Sequence, residues 1–237
     1  MMFKAVILAS IAFLAFLSAA ARKLTPGGAI AGWGIATLLF LGTGLTGVVL
    51  LGGFFMLAVA ATATGRKVKE QLGVAEAVRG RRNMAQVIAN GGMAALAGLA
   101  AWILPAYAGH ALVVVAAAAS SAVSDTVSSE LGTVYGKRFY NILTWRSDAR
   151  GANGVISLEG TLAGLAGSIV IATLFILGSG AGFLPALGVV VAGTLGNLAD
   201  SLLGASWERS GIVGNNVVNF LNTTVAAAVA LIWLWLT

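Results

Sequence analysis

The chain has 237 residues, of which 59% are hydrophobic and 9% are charged, and its mean hydropathy is +0.95. This composition excludes an ordinary water-soluble domain and predicts an all-α integral membrane protein. The sequence contains no cysteine, which excludes disulfides, thiolate metal sites and a cysteine nucleophile. Its 14 Lys and Arg and 8 Asp and Glu give a net charge of +6, and no segment indicates a nucleic-acid partner.

Apolar segments fill most of the chain. In order they are 3–21, 28–42, 45–64, 84–104, 109–127, 155–177, 182–203 and 216–236. A membrane-spanning helix needs about 20 apolar residues. The second segment is short, and LGTGLTG separates it only weakly from the third, so this pair forms either two spans or one hairpin that enters the membrane part way. We predict a single transmembrane domain over 1–237 with about eight (seven or eight) transmembrane helices.

Basic residues indicate the orientation of these segments. Every Lys and Arg except Lys4 follows the first, third, fifth or seventh segment. Because basic loops stay in the cytoplasm, we predict cytoplasmic loops at approximately 65–83, 128–154 and 204–215. Both termini then lie on the far side of a cell (inner or plasma) membrane that the chain crosses several times. The first segment also has features of a cleaved signal peptide, but cleavage would place loop 65–83 outside, so we expect a retained helix.

Polar side chains collect at the predicted cytoplasmic ends of five segments. In chain order they are Asn83, Gln86 and Asn90; Ser121, Asp125 and Ser128; Ser157, Glu159 and Thr161; Asn197, Asp200 and Ser201; and Asn215, Asn219, Asn222 and Thr223. A single Asn or Ser often joins two helices by a hydrogen bond. Charged residues in a bilayer are costly and usually mark a site or a water-filled cavity. The sequence therefore predicts a polar cavity that is open to the cytoplasm.

The connection 128–154 indicates the chemistry of such a cavity. It is rich in Gly, Lys and Arg, and carboxylates flank it. Carboxylates without His or Cys favour hard cations such as Mg²⁺, and basic side chains bind phosphate oxygens. The basic loop by itself also fits contact with lipid headgroups. Together with the acids, it predicts a phosphorylated substrate at the membrane surface.

Four sequence elements carry a family resemblance. RRNMAQVIANGG, SDTVSSELGTVYGKR, NGVISLEGTLAG and GNLADSLLGAS resemble the membrane family that includes phytyl-phosphate kinase and the transmembrane protein 19 group, over most of residues 22–236. More distantly, Asp125, the run Gly136–Arg138 and ISLEGT resemble a pattern of the CTP-dependent dolichol kinases and the CDP-diacylglycerol synthases. Ile156 stands where those enzymes often have lysine, and Asn197 where the synthases have an acid. The resemblance implies CTP and Mg²⁺.

These observations together predict a CTP-dependent isoprenyl (phytyl or polyprenyl) phosphate kinase. It would transfer the γ-phosphate of CTP to a lipid monophosphate and give a diphosphate. The predicted catalytic residues are Asp125, Asp200 and Glu159, and the predicted metal ligands are Asp125, Glu130 and Asp200. The predicted nucleotide- and phosphate-binding residues are Lys137, Arg138, Asn83, Gln86, Asn90, Ser157, Asn215 and Asn219.

Two alternatives to the kinase stay open. A lipid-phosphate cytidylyltransferase would place the lipid phosphate on the α-phosphate of CTP and release pyrophosphate. A non-enzymatic membrane transporter is the other alternative, although transporters tend to bind their substrates near the middle of the membrane. The expected partners are a lipid phosphate, a nucleotide and membrane lipids, and the sequence leaves the oligomeric state open.

Overall fold

The computed structural model describes residues 2–73 and 80–237. Its α-helices are α1 (Met2–Ala20), α2 (Pro26–Ala63), α3 (Arg66–Gln71), α4 (Met84–Ile103), α5 (Ala108–Tyr135), α6 (Leu158–Ser179), α7 (Phe183–Leu203) and α8 (Asn215–Leu236). A 3₁₀ turn (Pro105–Tyr107) precedes α5, and a π-helical turn (Gly204–Glu208) extends α7. Strands β1 (Tyr140–Asn141) and β2 (Val155–Ile156) pair antiparallel between α5 and α6.

Seven of the described helices are long and apolar enough to cross a membrane, and α3 is the short one. The predicted class, an all-α integral membrane protein, is confirmed. The predicted loop 128–154 begins too early, because α5 continues to Tyr135. The predicted loop 204–215 also begins too early, because the π-helical turn carries α7 on to Glu208.

The longest helix, α2, contains both the second and the third apolar segment. Gly44 interrupts it with φ 71° and ψ −159°, a conformation that glycine adopts at low cost. Beyond this kink, Val48 and Leu51 pack against a cluster that includes Ala36 and Phe40 of the first arm. The two arms therefore fold back on each other, and each is about 27 Å long, close to the thickness of the bilayer's apolar core. The pair predicted as two spans or one hairpin forms a hairpin of two full-length arms.

Helix α5 lies at the centre of the bundle and contacts α2, α4, α6, α7 and α8. Its residues from Val113 to Ser124 are all buried, and they include four successive alanines, Ala116–Ala119. Small side chains let neighbouring helix backbones approach closely, which is the main source of packing energy between helices in a membrane. This alanine-rich run of α5 is thus the core of the helix bundle.

Glycines of α6 allow that helix to lie directly against α5. A Cβ atom at Gly160 would lie 2.7 Å from the carbonyl oxygen of Ser128, and one at Gly164 would lie 2.7 Å from that of Ser124. At Gly167 the added atom would meet the side chain of Val123 at 2.6 Å. This stripe of small residues therefore forms a close contact between α5 and α6.

Replacing one of these glycines is expected to destabilise the bundle. Gly164→Ala puts a methyl group against the α5 backbone, and overpacking of this kind costs about 1–3 kcal/mol. We expect the midpoint of thermal unfolding, followed by tryptophan fluorescence in detergent, to fall by at least about 2 °C. Gly109→Ala in α5 is the matched control, because the added atom meets nothing within 4 Å. Equal midpoints for the two variants would contradict the close contact.

Candidate active site

A cavity of about 760 Å³ opens at one end of the bundle. The ends of α2, α4, α5, α6, α7 and α8 form its walls together with the connection before α6. Because Lys23 and Asn215 line it, α1 ends and α8 begins at this side, and the first and last residues described lie at the opposite end. The predicted site residues that line the cavity are Gln86, Asn90, Asp125, Glu130, Ser157, Asp200, Asn215 and Asn219.

Two carboxylates from neighbouring helices lie together in the cavity. Asp125 of α5 and Asp200 of α7 are within hydrogen-bonding reach of each other. Asn222 of α8 donates from Nδ2 to Oδ1 of Asp200 at 2.7 Å. The Oδ1 atom of the same amide accepts from Ser121 Oγ at 3.1 Å. The fully buried Asn222 side chain therefore links three helices and fixes the orientation of Asp200.

A third acid, Glu208, extends this acidic cluster. The π-helical turn places its carboxylate close enough to Asp200 for their charges to interact, and it accepts hydrogen bonds from Asn215 and Asn153. Sequence reasoning missed Glu208 because it assigned this residue to a cytoplasmic loop. A prediction that α7 continues for one more turn past Leu203 would have placed Glu208 at the cavity.

The cavity also contains cationic side chains. Lys23, Arg66, Lys69 and Arg82 line the cavity. Arg82 is near enough to Asp125 for a charge interaction, and its guanidinium lies 5.5 Å from the centre of the Phe54 ring. A cavity that contains both acids and several cations suits an anionic ligand that binds together with a cation.

The backbone of Arg82 is held in place by the connection between α1 and α2. Its N–H donates to the carbonyl oxygen of Lys23 at 3.0 Å, and its own carbonyl oxygen accepts from the N–H of Thr25 at 3.0 Å. These two hydrogen bonds fix the position from which the Arg82 side chain enters the cavity.

Glu130 lies in the cavity wall but is engaged in an ion pair. Its Oε2 atom is 2.5 Å from Nζ of Lys69 in α3. Lys69 also donates to the carbonyl oxygens of Ala61 and Thr62 at the end of α2, and its side chain is 6% exposed. Glu130 would reach the face of Asp125 only if α5 ended or bent near Ser128, and α5 continues to Tyr135 instead. The structure thus gives Glu130 a cation partner within the protein.

Two amide side chains in the cavity have spare hydrogen-bonding capacity. The Oδ1 atoms of Asn90 and Asn219 are buried and accept no hydrogen bond from the described residues. The two side chains are 6% and 9% exposed. An unpaired buried carbonyl oxygen is costly, so these atoms are candidates to accept from a bound ligand.

Four predicted site residues lie outside the lining of the cavity. Asn83 is the N-cap of α4 and forms a capping box with Gln86. Lys137 and Arg138 follow the end of α5, and both side chains are exposed. Glu159 lies in the first turn of α6, where its Oε2 atom accepts from the backbone N–H of Lys137 at 3.4 Å. The structure thus places these four residues outside the cavity lining, and their binding and catalytic roles stay predictions.

The connection 136–157 is fixed to the helix ends by its own charged residues. Arg150 donates to the carbonyl oxygens of Thr133 and Val134 at the end of α5, so it caps that helix. Asp148 pairs with Arg209 at 2.7 Å. The hydrogen bond from Arg209, followed by that from the Ala149 N–H, lowers the pKa of Asp148 below its ordinary value. Asp148 therefore stays charged and keeps the loop attached to the end of α7.

The fold and the cavity define an integral membrane protein with a candidate site for an anionic ligand at one end of a helix bundle. The chain belongs to the integral membrane protein family DUF92, whose model matches residues 9–227. This result confirms the family membership predicted from the four sequence elements. No solved structure matches the chain.

Relatives from three organisms match most of the chain. An uncharacterised membrane protein of Synechocystis is 34% identical over 231 residues, which are 92% of this chain and 86% of that protein. Protein VTE6, chloroplastic, of Arabidopsis thaliana is 35% identical over 211 residues, which are 84% of this chain and 63% of that protein. An uncharacterised membrane protein of Methanocaldococcus jannaschii is 32% identical over 231 residues, 94% of this chain and 90% of that protein.

Proposed function

We propose that this protein is a membrane-bound phosphotransferase that converts an isoprenyl (phytyl or polyprenyl) monophosphate to the diphosphate with CTP and Mg²⁺. The observation that carries the proposal is the Asp125–Asp200 pair facing Arg82 in a polar cavity. The similarity to protein VTE6 and the motifs of the phytyl-phosphate kinase family support a lipid phosphate as the acceptor. The likeness of the Asp125 and Gly136–Arg138 region to CTP-dependent enzymes supports CTP as the donor.

The acidic pair fits a magnesium ion that is bound together with its substrate. Among the described residues, no group of three His, Cys, Asp or Glu side chains is arranged to hold a metal ion alone. Mg²⁺ is commonly bound by one or two carboxylates, with substrate phosphates and water completing its six ligands. Asp125 and Asp200 would supply those carboxylates. When bound, the ion would neutralise charge on the phosphates during transfer.

The reaction depends more on the positioning of the two phosphate groups than on a general base. An oxygen of the lipid monophosphate attacks the γ-phosphorus of CTP, the bond from that phosphorus to the β,γ-bridging oxygen breaks, and CDP leaves with this oxygen. The attacking phosphate is already anionic near pH 7, which agrees with a cavity lined by no described histidine or cysteine. Arg82 supplies positive charge, while Asn90 and Asn219 orient the nucleotide through their free carbonyl oxygens.

The basic residues support a cytoplasmic opening for this cavity. Lys23, Arg66 and Arg82 all lie at its mouth or in its walls. Basic segments stay on the cytoplasmic side, where CTP is available. We therefore propose a protein of the cell membrane whose site faces the cytoplasm and whose first and last described residues face the far side.

Labelled CTP tests the proposal directly. Purified protein is incubated with Mg²⁺, a panel of isoprenyl monophosphates, and CTP labelled at either the α- or the γ-phosphate. We expect the γ label in a lipid diphosphate and the α label in CDP. Appearance of the α label in the lipid would establish a cytidylyltransferase instead. Uptake of lipid phosphate into sealed liposomes without chemical change, together with no label transfer from CTP or ATP, would support the transporter.

A further inference from the structure

A second, apolar groove lies beside the polar cavity within the membrane-spanning part of the bundle. It has a volume of about 150 Å³ and runs between α1, the two arms of α2 and the start of α4. Leu14, Ala36, Leu51 and Phe55 are among the residues that form its walls. The groove is therefore suited to a hydrocarbon chain rather than to a nucleotide.

The groove and the polar cavity meet at one place. Arg82, Gln86 and Asn90 line both of them, and Phe54, whose ring lies under the Arg82 guanidinium, lines the groove. At this junction, a cation and two amides stand at the end of an apolar passage. A lipid phosphate matches this arrangement, because its anionic head is attached directly to an apolar chain.

We propose that this groove binds the first part of the hydrocarbon chain of a lipid monophosphate, whose phosphate lies at Arg82. The inference rests on the proposed function, since it names the site that holds the acceptor. The phosphate then points from the groove into the polar cavity, toward Asp125, whose charge interacts with that of Arg82.

The dimensions of the groove limit how much of the chain it holds. On α1 it extends from Ile11 to Ser18, which is about 11 Å along the helix axis. One side is open, because Leu14 is 58% exposed and a Cβ atom at Gly52 would meet nothing within 4 Å. The remainder of a long chain therefore lies among the membrane lipids. The protein distinguishes acceptors by the part of the chain nearest the phosphate.

A pair of glycine variants tests the groove by kinetics. Gly52→Leu fills the open side of the groove, and Gly34→Leu on the same helix is the matched control, since Gly34 also has open space around it and lies outside the groove. We expect Gly52→Leu to raise KM for geranylgeranyl monophosphate about tenfold or more, and to raise it less for dimethylallyl monophosphate, whose single isoprene unit fills less of the groove. Gly34→Leu should change neither value. Unchanged kinetics in Gly52→Leu would overturn the groove assignment and leave the proposed phosphotransferase standing.

Photolabelling tests the same groove without phosphoryl transfer. The probe is a geranylgeranyl monophosphate with a diazirine in the isoprene unit nearest the phosphate. We expect labelled peptides from α1 and α2, displaced by excess geranylgeranyl monophosphate, displaced poorly by geranylgeraniol, and reduced in Gly52→Leu. Labelling confined to other helices, or equal displacement by the alcohol, would overturn the assignment. Because this readout needs no CTP, a protein that labels as expected but transfers no phosphate would contradict only the proposed function.

Discussion

Asp125→Asn and Asp200→Asn are each expected to lower kcat/KM for phosphoryl transfer by at least ~100-fold. Each substitution removes one of the two carboxylates that would hold Mg²⁺ and leaves a side chain of nearly the same shape. The Mg²⁺ concentration that gives half-maximal rate should rise in the same variants, because a neutral amide is a weak magnesium ligand. Initial rates with labelled CTP, measured over a Mg²⁺ titration, provide both quantities.

A third aspartate provides the control for this experiment. Asp148→Asn makes the same chemical change in the connection between α5 and α6, outside the residues that line the cavity. It breaks an ion pair with Arg209 that is partly exposed, and such pairs contribute little to stability. We expect this variant to keep its turnover and its Mg²⁺ dependence. Full turnover in a folded Asp125→Asn or Asp200→Asn variant would remove the carboxylate pair from the mechanism.

Lys69→Met is expected to lower the free energy of unfolding by about 3 kcal/mol, because it leaves the half-buried Glu130 carboxylate without its partner. It also removes the donor to two carbonyl oxygens at the end of α2. Thermal unfolding in detergent measures the loss. Lys67→Met, an exposed position in the same short helix, is the matched control and should unfold close to the original protein.

Variants of Lys69 and Glu130 together test the role of Glu130. If Glu130 serves the ion pair, Glu130→Gln lowers stability while the Mg²⁺ dependence of the reaction stays the same. The double variant Lys69→Met, Glu130→Gln should then recover part of the stability lost in Lys69→Met, since no unpaired charge remains. A rise in the Mg²⁺ requirement of Glu130→Gln at unchanged stability would restore its predicted role as a metal ligand.

Helical periodicity was enough to predict that several polar side chains line one cavity. Gln86 and Asn90 lie four residues apart at the start of α4, and Asn215 and Asn219 lie four apart at the start of α8. Residues at this spacing share one face of a helix. Because basic loops indicated which helix ends lie on the same side, the sequence also predicted that these faces meet at one level of the membrane.

Residues in the connections were predicted less well. Glu208 and Lys69 line the cavity because a π-helical turn and the short helix α3 bring them there. Lys137 and Glu159 lie outside it, although they flank the basic connection whose composition predicted a phosphorylated substrate. The direction of a loop side chain depends on how the loop folds against its neighbours, and local charge composition carries no information about that.

The sequence by itself determined that this is an integral membrane protein, which family its motifs resemble, where most of its long helices lie, and which ends of them are polar. Apolar length, helical spacing and loop charge are properties of single segments, so one sequence is enough to give them. Only the tertiary structure decided that Asp125 faces Asp200 and that Arg82 joins the cavity to an apolar groove. Those contacts depend on how each helix is rotated against its neighbours, and glycines such as Gly164 allow that packing through contacts between residues far apart in the chain.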